Sequence, residues 1–371
     1  MTQRKKILHL ITGLEVGGAE MMLLKTLPLL QSEFDNHVCC IRGHGPIGAK
    51  LEAAGVPVSY LELRSPFDFG VILRFRKIVR EFQPEILVTY LIHADLFGRI
   101  FGRLFGIRKI ICSQRGKLLQ WEFLRVIDRA TKFLVTRYIV QTETAKQELM
   151  KKLQLPKERF DVIHNAIDLK EFDFERDTGK KRKDLGLKPA DIVITCISKL
   201  RRGKGHEYLL EAFETFLRHS REGGNPVKLL IVGDGEQKKK LLEQIEDYRS
   251  KPAINFLGNR NDVKEILKIS DIFILPTLGE GMSNAIMEAM ASGLPVITTD
   301  IPENRELIEN EENGILIPPM NTDSLVQIMK SLLNNNLQRD LLRKNARNQM
   351  LKRFNVNTTI LKLEQLLLSL K

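Results

Sequence analysis

Apolar strand, turn, amphipathic helix: this unit recurs along the 371-residue chain and leaves few folds open. In the first half "KILHLIT" reads as a strand, "GLEVGGAE" as a glycine-bearing turn and "MMLLKTLPLLQ" as a helix. "HVCCI", "PVSYLEL", "EILVTYL", "KIICSQ" and "RYIVQT" read as further strands, with helices such as "DFGVILRFRKIVREF" between them. In the second half "DIVITCIS", "KLLIVG", "INFLG", "IFILPT" and "PVITTD" are strands, separated by helices near 206–218, 235–248, 262–269 and 283–292. Such alternation implies right-handed βαβ units and parallel sheets. The length suggests two domains, and two halves of one grammar suggest two doubly wound ones. Ligands of open α/β sheets bind past the carboxyl ends of the strands, so the cleft between two such domains is the expected site.

The boundary is expected in the charged stretch 170–191, which lacks strand pattern. Residues 1–175 then form the first domain and 176–354 the second, with a final helix, 355–371, packing back on the first. The irregular "RHSREGGNPVK" at 218–228 resembles short peptides translated from dispersed bacterial repeat DNA and reads as an insertion in a tolerant loop.

No run of eighteen apolar residues exists, so no spanning helix is expected, and the N-terminus does not read as a signal peptide. The expected location is cytoplasmic. The four cysteines, Cys39, Cys40, Cys112 and Cys196, all sit in predicted strands without metal-ligand spacing, and reduced core thiols are expected. Net charge is +12. Ten basic residues against two acids fall between Arg99 and Arg137. Nucleic acid, an anionic membrane surface or a phosphorylated substrate would each suit this excess. No nucleic-acid-binding motif accompanies it. Trp121, Phe123, Leu124 and Phe133 in the tract fit an interfacial helix, or else a core with a solvated basic face.

Dinucleotide and Walker fingerprints are absent, as are DxD and spaced-histidine metal boxes; a simple nicotinamide enzyme or NTPase is not indicated. Instead, anion-binding devices stand at strand ends. "ISKLRRGKGHEYLLEAF" follows a strand and opens a helix, with Lys199, Arg201, Arg202 and Lys204 crowding the turn and Gly203 and Gly205 letting the backbone approach a ligand. "GGAE", with Gly17 and Gly18, and "GDGE", at 233–236, repeat the device. Three in register make a diphosphate site plausible.

In "EGMSNAIMEAM", Glu280 precedes a helix that Ser283 can cap, and Glu288 lies eight residues on, inside that helix. Ile286, Met287 and Met290 follow at helical spacing, and Ser292-Gly293 ends the helix. The residues around Glu288 are small and polar, so a ligand can approach closely; a solvated helix face is the other reading.

Taken together these segments resemble the retaining glycosyltransferases of family 4, of the bacterial cell-surface polysaccharide and lipopolysaccharide type. "EGMSNAIMEAMASGLPVITTD" looks like that family's E-x7-E segment. "ISKLRRGKGHEYLLEAF", "VIHNAIDLKEF", "LLIVGDGEQKKKL", "INFLGNRNDV" and "DIFILPT" match its other segments in the family's order. The resemblance covers nearly the whole chain. It implies the α/β GT-B fold, two facing Rossmann-like domains with parallel sheets and an interdomain cleft. It also implies hexosyl or N-acetylhexosaminyl transfer from a nucleotide-diphosphate sugar to a glycan or glycolipid acceptor, without metal or other cofactor, at the inner face of the cell membrane. Specific nucleic-acid binding is not implied.

The resemblance assigns roles as well. The Glu280 position contacts the donor sugar, and Lys199 and Lys204 grip the diphosphate as the catalytic cations. Glu288 holds the ribose, with Gly281, Met282 and Ser283 beside it. Asn259 faces the nucleobase, and Gly18 borders the donor phosphate and acceptor. Lys199 departs from the arginine often found there, trading a bidentate fork for a point charge. Many members carry a histidine after the strand "KIICSQ"; here Gln114 and Arg115 stand instead, with His93 an alternative at an earlier strand end. The competing reading is an inactive GT-B protein that docks on anionic membrane or nucleic acid.

Overall fold

The computed structural model describes residues 4–65, 67–114, 122–173, 179–219 and 225–370. It divides into two units, 1–166 with 356–371 and 167–355.

The first unit is built on seven parallel strands: β1 (Lys5–Ile11), β2 (Phe34–Cys40), β3 (Val58–Tyr60), β4 (Ile86–Tyr90), β5 (Lys109–Ser113), β6 (Arg137–Val140) and β7 (Phe160–Val162). Their order is β3-β2-β1-β4-β5-β6-β7. The connecting helices are α1 (Gly18–Leu30), α2 (Pro46–Ala53), α3 (Gly70–Phe82), α4 (Ile92–Leu104), α5 (Glu122–Thr131) and α6 (Glu143–Leu153). Side chains alternate along a strand, and here both faces are covered. Ile7 and Ile11 of β1 pack with Leu23 and Leu27 of α1, while Leu8 and Leu10 pack with Phe75 of α3 and Ala94 of α4. This is why the strands read as unbroken apolar runs.

The second unit contains α7 (Gly179–Asp184), β8 (Ile192–Ile197), α8 (His206–Arg218), β9 (Val227–Val232), α9 (Lys238–Gln244), β10 (Ile254–Gly258) and α10 (Val263–Ile269). It continues with β11 (Ile272–Leu275), α11 (Asn284–Ala291), β12 (Val296–Thr299), α12 (Pro302–Arg305), β13 (Ile315–Ile317), α13 (Thr322–Asn334) and α14 (Asn336–Arg353). The strands are parallel in the order β10-β9-β8-β11-β12-β13. Ile194 and Cys196 of β8 pack with Phe213 of α8 and Met287 of α11; Val193 packs on the other face with Ile266 and Ile269 of α10. Helix α15 (Val356–Ser369) returns to the first unit. There Ile360 and Leu367 join the core of Ile7 and Ile11, and Lys5 donates to the carbonyls of Leu367, Leu368 and Leu370.

Residues 167–173, placed with the first domain on charge pattern, belong to the second unit. Leu169 and Phe172 sit in its core, and Arg347 donates to the Phe172 carbonyl. The helix expected over 235–248 is shorter, because 233–237 is drawn onto the preceding loop by Gln237 N–H donating to Leu200 O. All four cysteines are free and buried, three strands carrying them; burial pushes the Cys112 and Cys196 thiols up to about 12. No helix among the described residues is long and apolar enough to cross a membrane.

The basic tract is not one surface. It runs through α4, β5, α5 and β6, so successive cations face different ways. Arg99 is fully buried against Asp128, Arg137 pairs with Asp161, and Lys109 caps the Leu370 carbonyl. Phe133 is exposed rather than core. Trp121 lies outside the described residues.

Candidate active site

In a doubly wound sheet the loops diverge where strand order reverses, and this opens a crevice at the carboxyl end. In the second unit that switch point lies between β8 and β11. Lys204 stands in the loop after β8 and Glu280 in the loop after β11. The two loops are stitched together. Leu278 N–H donates to Gly203 O at 2.8 Å, and Thr277 Oγ1 donates to the same carbonyl at 3.1 Å. Gly205 adopts φ 72° with its Cα against Pro276 O, where a Cβ would collide with the carbonyl. The GDGE loop after β9 closes the floor. Gly233, at φ 131°, lies against Ser198 O, and Leu200 N–H donates to Asp234 O at 3.0 Å.

These constraints place the Lys204 ammonium directly on Glu280 Oε1, with both side chains only about a tenth exposed. Sequence reasoning treated the two as separate contacts; the structure makes them an ion pair. Helix α8 begins at His206, so its unpaired N–H groups open toward the same loop. His206 escaped sequence notice. It is buried, exchanges a 2.9 Å hydrogen bond with Ser198 Oγ, and burial together with Lys204 lowers it to about 4. A neutral imidazole braces the lysine loop without competing for an anion. Its only sequence signal was its place at the helix start.

The other residues fall into groups. Lys199 is exposed on the same loop. Ser283 caps α11, its Oγ accepting from Ile286 N–H at 3.4 Å. Met282 is buried in the core. Glu288 lies half-buried in the second turn of α11, and Asn259 is exposed after β10. In the first unit the reversal falls between β1 and β4. Gly18 opens α1 after β1, and His93 is exposed as the second residue of α4 after β4. Gln114 follows β5 and donates to Asp95. Arg115 lies outside the described residues. Among the described residues no group of three or more His, Cys, Asp or Glu side chains is placed to hold a metal.

Two family descriptions match successive parts of the chain: Glycosyltransferase Family 4 over residues 16–171 and Glycosyl transferases group 1 over 177–349. The chain belongs to the family 4 glycosyltransferases. It is 29% identical to UDP-Gal:alpha-D-GlcNAc-diphosphoundecaprenol alpha-1,3-galactosyltransferase of Escherichia coli, over 97% of this chain and 96% of that one. It is 24% identical to N-acetylgalactosamine-N,N'-diacetylbacillosaminyl-diphospho-undecaprenol 4-alpha-N-acetylgalactosaminyltransferase of Campylobacter jejuni, over 91% and 92%. Anabaena HepE, solved in complex with UDP and glucose, superposes with a TM-score of 0.86 at 22% identity, covering 99% and 100% of the two chains. The fold is GT-B, and this family 4 enzyme transfers a sugar from a nucleotide sugar.

Proposed function

We propose that the enzyme moves a hexose or N-acetylhexosamine from a UDP-sugar to a lipid-diphosphate-linked glycan, with retention and without metal. The pairing of Lys204 with Glu280 at the switch point carries this reading. As the anomeric bond breaks, negative charge gathers on the departing diphosphate and positive charge on the sugar. Lys204, Lys199 and the N-terminus of α8 meet the first; the Glu280 carboxylate meets the second. Fixed charges aimed at developing charge are the strongest catalytic device available to such a site. Glu288 is assigned the ribose hydroxyls, and Gly281, the Ser283 region and Asn259 complete the donor side. Gly18, His93 and the Gln114-Arg115 segment are assigned to the acceptor side. The donor is read as UDP because the E. coli relative is named for UDP-Gal and HepE was solved with UDP. The acceptor class follows from the two relatives named for diphosphoundecaprenol substrates.

Thermal-shift titration tests this reading. Excess UDP-galactose, UDP-glucose or UDP-N-acetylglucosamine in EDTA should raise the melting temperature, since a ligand at 100 times its Kd stabilises by about 2.7 kcal/mol. A response confined to GDP- or ADP-sugars, or one that requires magnesium or manganese, overturns the donor or metal assignment.

A lipid-linked acceptor implies a membrane surface, and α3 supports that partner. Phe69, Leu73, Lys77 and Arg80 follow one another at helical spacing on its outer side. Phe69 and Leu73 are 74% and 66% exposed, while Val71, Phe75 and Val79 face the core. Phe67 beside them is 79% exposed. Binding to vesicles rich in anionic lipid should exceed binding to neutral ones and weaken with salt. The Lys77→Glu/Arg80→Glu variant should lose this preference. Equal sedimentation with both vesicle types would leave α3 an ordinary surface.

A further inference from the structure

Beneath Gln114 the first unit buries a set of charges that the donor site does not use. Asp95, on the first turn of α4, is fully buried. Its Oδ1 accepts from Thr89 Oγ1 at 2.5 Å and its Oδ2 from Gln114 Nε2 at 2.7 Å. The charged and titratable groups facing it are Arg99 one turn on, Asp128 of α5, the Cys112 thiol of β5 and the Tyr138 phenol of β6. Arg99 is held by Asp128 at 2.8 Å, and Lys152 of α6 takes the other Asp128 oxygen at 3.3 Å. Asp95 is therefore satisfied by neutral donors, Thr89, Gln114 and the Cys112 thiol, and burial pushes its carboxyl up to about 7 against the pull of Arg99.

The chain is bent to keep this carboxylate in place. Leu91, between β4 and α4, sits at φ 68°, ψ 149°, a region that is essentially reserved for glycine. Its carbonyl accepts from Asp95 N–H at 2.8 Å. Such strain persists where the surroundings over-determine it, and it clusters at functional sites.

An ionised carboxylate only accepts hydrogen bonds, so the Gln114 amide must turn its nitrogen inward. Gln114 itself is half-buried at the carboxyl end of β5, beside the switch point of its sheet. We propose that Asp95 is a positioning residue for sugar transfer: by holding the Gln114 nitrogen it fixes the Gln114 carbonyl oxygen outward, as an acceptor for a sugar hydroxyl of the substrate. The inference rests on the reading of the chain as a UDP-sugar transferase. A side chain oriented in advance loses little freedom on binding, which is how positioning groups contribute. Protonation of Asp95 lets the amide turn over and present N–H groups instead. The outward acceptor is present above about pH 7 and is lost as pH falls through that value.

The test exchanges donor and acceptor inside the pair. Gln114→Glu sets two carboxylates against each other and should lower kcat/KM for UDP release from UDP-galactose or UDP-glucose at least 30-fold at pH 8, with partial recovery at pH 6. Asp95→Asn/Gln114→Glu lets the new amide hold the new carboxylate, whose second oxygen faces outward, and should return kcat/KM to within about fivefold of wild type. A double variant as poor as the single one overturns the proposal, provided melting temperatures match. A ligand-free arm separates this from failure of the functional reading. In protein labelled with 15N-glutamine, the Gln114 side-chain amide, assigned by its loss in Gln114→Met, should move toward a solvent-like position in Asp95→Asn. An unchanged resonance overturns the pairing whether or not either nucleotide sugar is turned over. Absence of wild-type turnover with a responsive resonance instead rejects the proposed donor.

Discussion

Replacing Lys204 by alanine should lower kcat/KM with a UDP-sugar by about 10²–10³-fold, the loss typical when one preorganised electrostatic group is removed from a developing charge. Most of that loss should appear in kcat. The charge on the diphosphate is larger in the transition state than in the bound donor, and an interaction that strengthens along the reaction acts on turnover. The structure adds a second consequence. Lys204 and Glu280 are in contact and nearly buried, so deleting the lysine leaves the carboxylate without its partner. Glu280→Gln should also lower kcat, and the double variant Lys204→Ala/Glu280→Gln should lose much less than the product of the single losses, because neighbours in contact are not additive. Glu288→Gln, on the next helix, is expected to raise donor KM with little change in kcat, since the ribose is unaltered by the reaction. Steady-state kinetics on the four variants and the wild type, after matching of melting temperatures, decide the matter. A Lys204→Ala enzyme within twofold of wild type means that the reaction site lies elsewhere.

The fold was legible because buried parallel strands announce themselves as apolar runs. Ile7–Ile11 and Ile192–Ile197 have no wet face, so composition alone marks them. β7 and β13 were missed. Each has three residues and closes one edge of its sheet; a short segment with Asp161 in its middle carries no periodicity to read. The E-x7-E segment was legible for a local reason: Ser283 caps, Gly293 terminates at φ 67°, and the apolar residues between keep helical spacing. The Lys204–Glu280 pair was not, because two loops 76 residues apart meet only through the β8–β11 adjacency. Nor was Arg99. A cation among cations reads as surface, and only the tertiary approach of Asp128, 29 residues on, makes its burial possible.

That buried pair yields the largest expected effect on stability. Arg99 is wholly buried and Asp128 only 2% exposed at its side chain, with 2.8 Å between them. Desolvating both ions offsets much of their attraction, so the intact pair adds little net stability. Its removal is asymmetric. Asp128→Ala strands a guanidinium in the core, where Nε already has no hydrogen-bond partner, and also removes the carboxylate oxygen that pairs with Lys152. Breaking such a pair from one side costs about 3–5 kcal/mol. For a unit of this size each kcal/mol moves the midpoint by roughly 2–4 °C, so the fall should be on the order of 10 °C. Asp161→Ala provides the contrast. It breaks an Arg137 pair that is shorter still, at 2.6 Å, but one whose side chains are 30% and 24% exposed, and a solvated pair is worth about 1 kcal/mol or less. Scanning calorimetry should show the Asp128→Ala loss in the transition of the first unit, to which both residues belong. If Asp128→Ala and Asp161→Ala shift the midpoint equally, water reaches Arg99 and the network beneath Gln114 is not the dry, fixed scaffold on which its positioning depends.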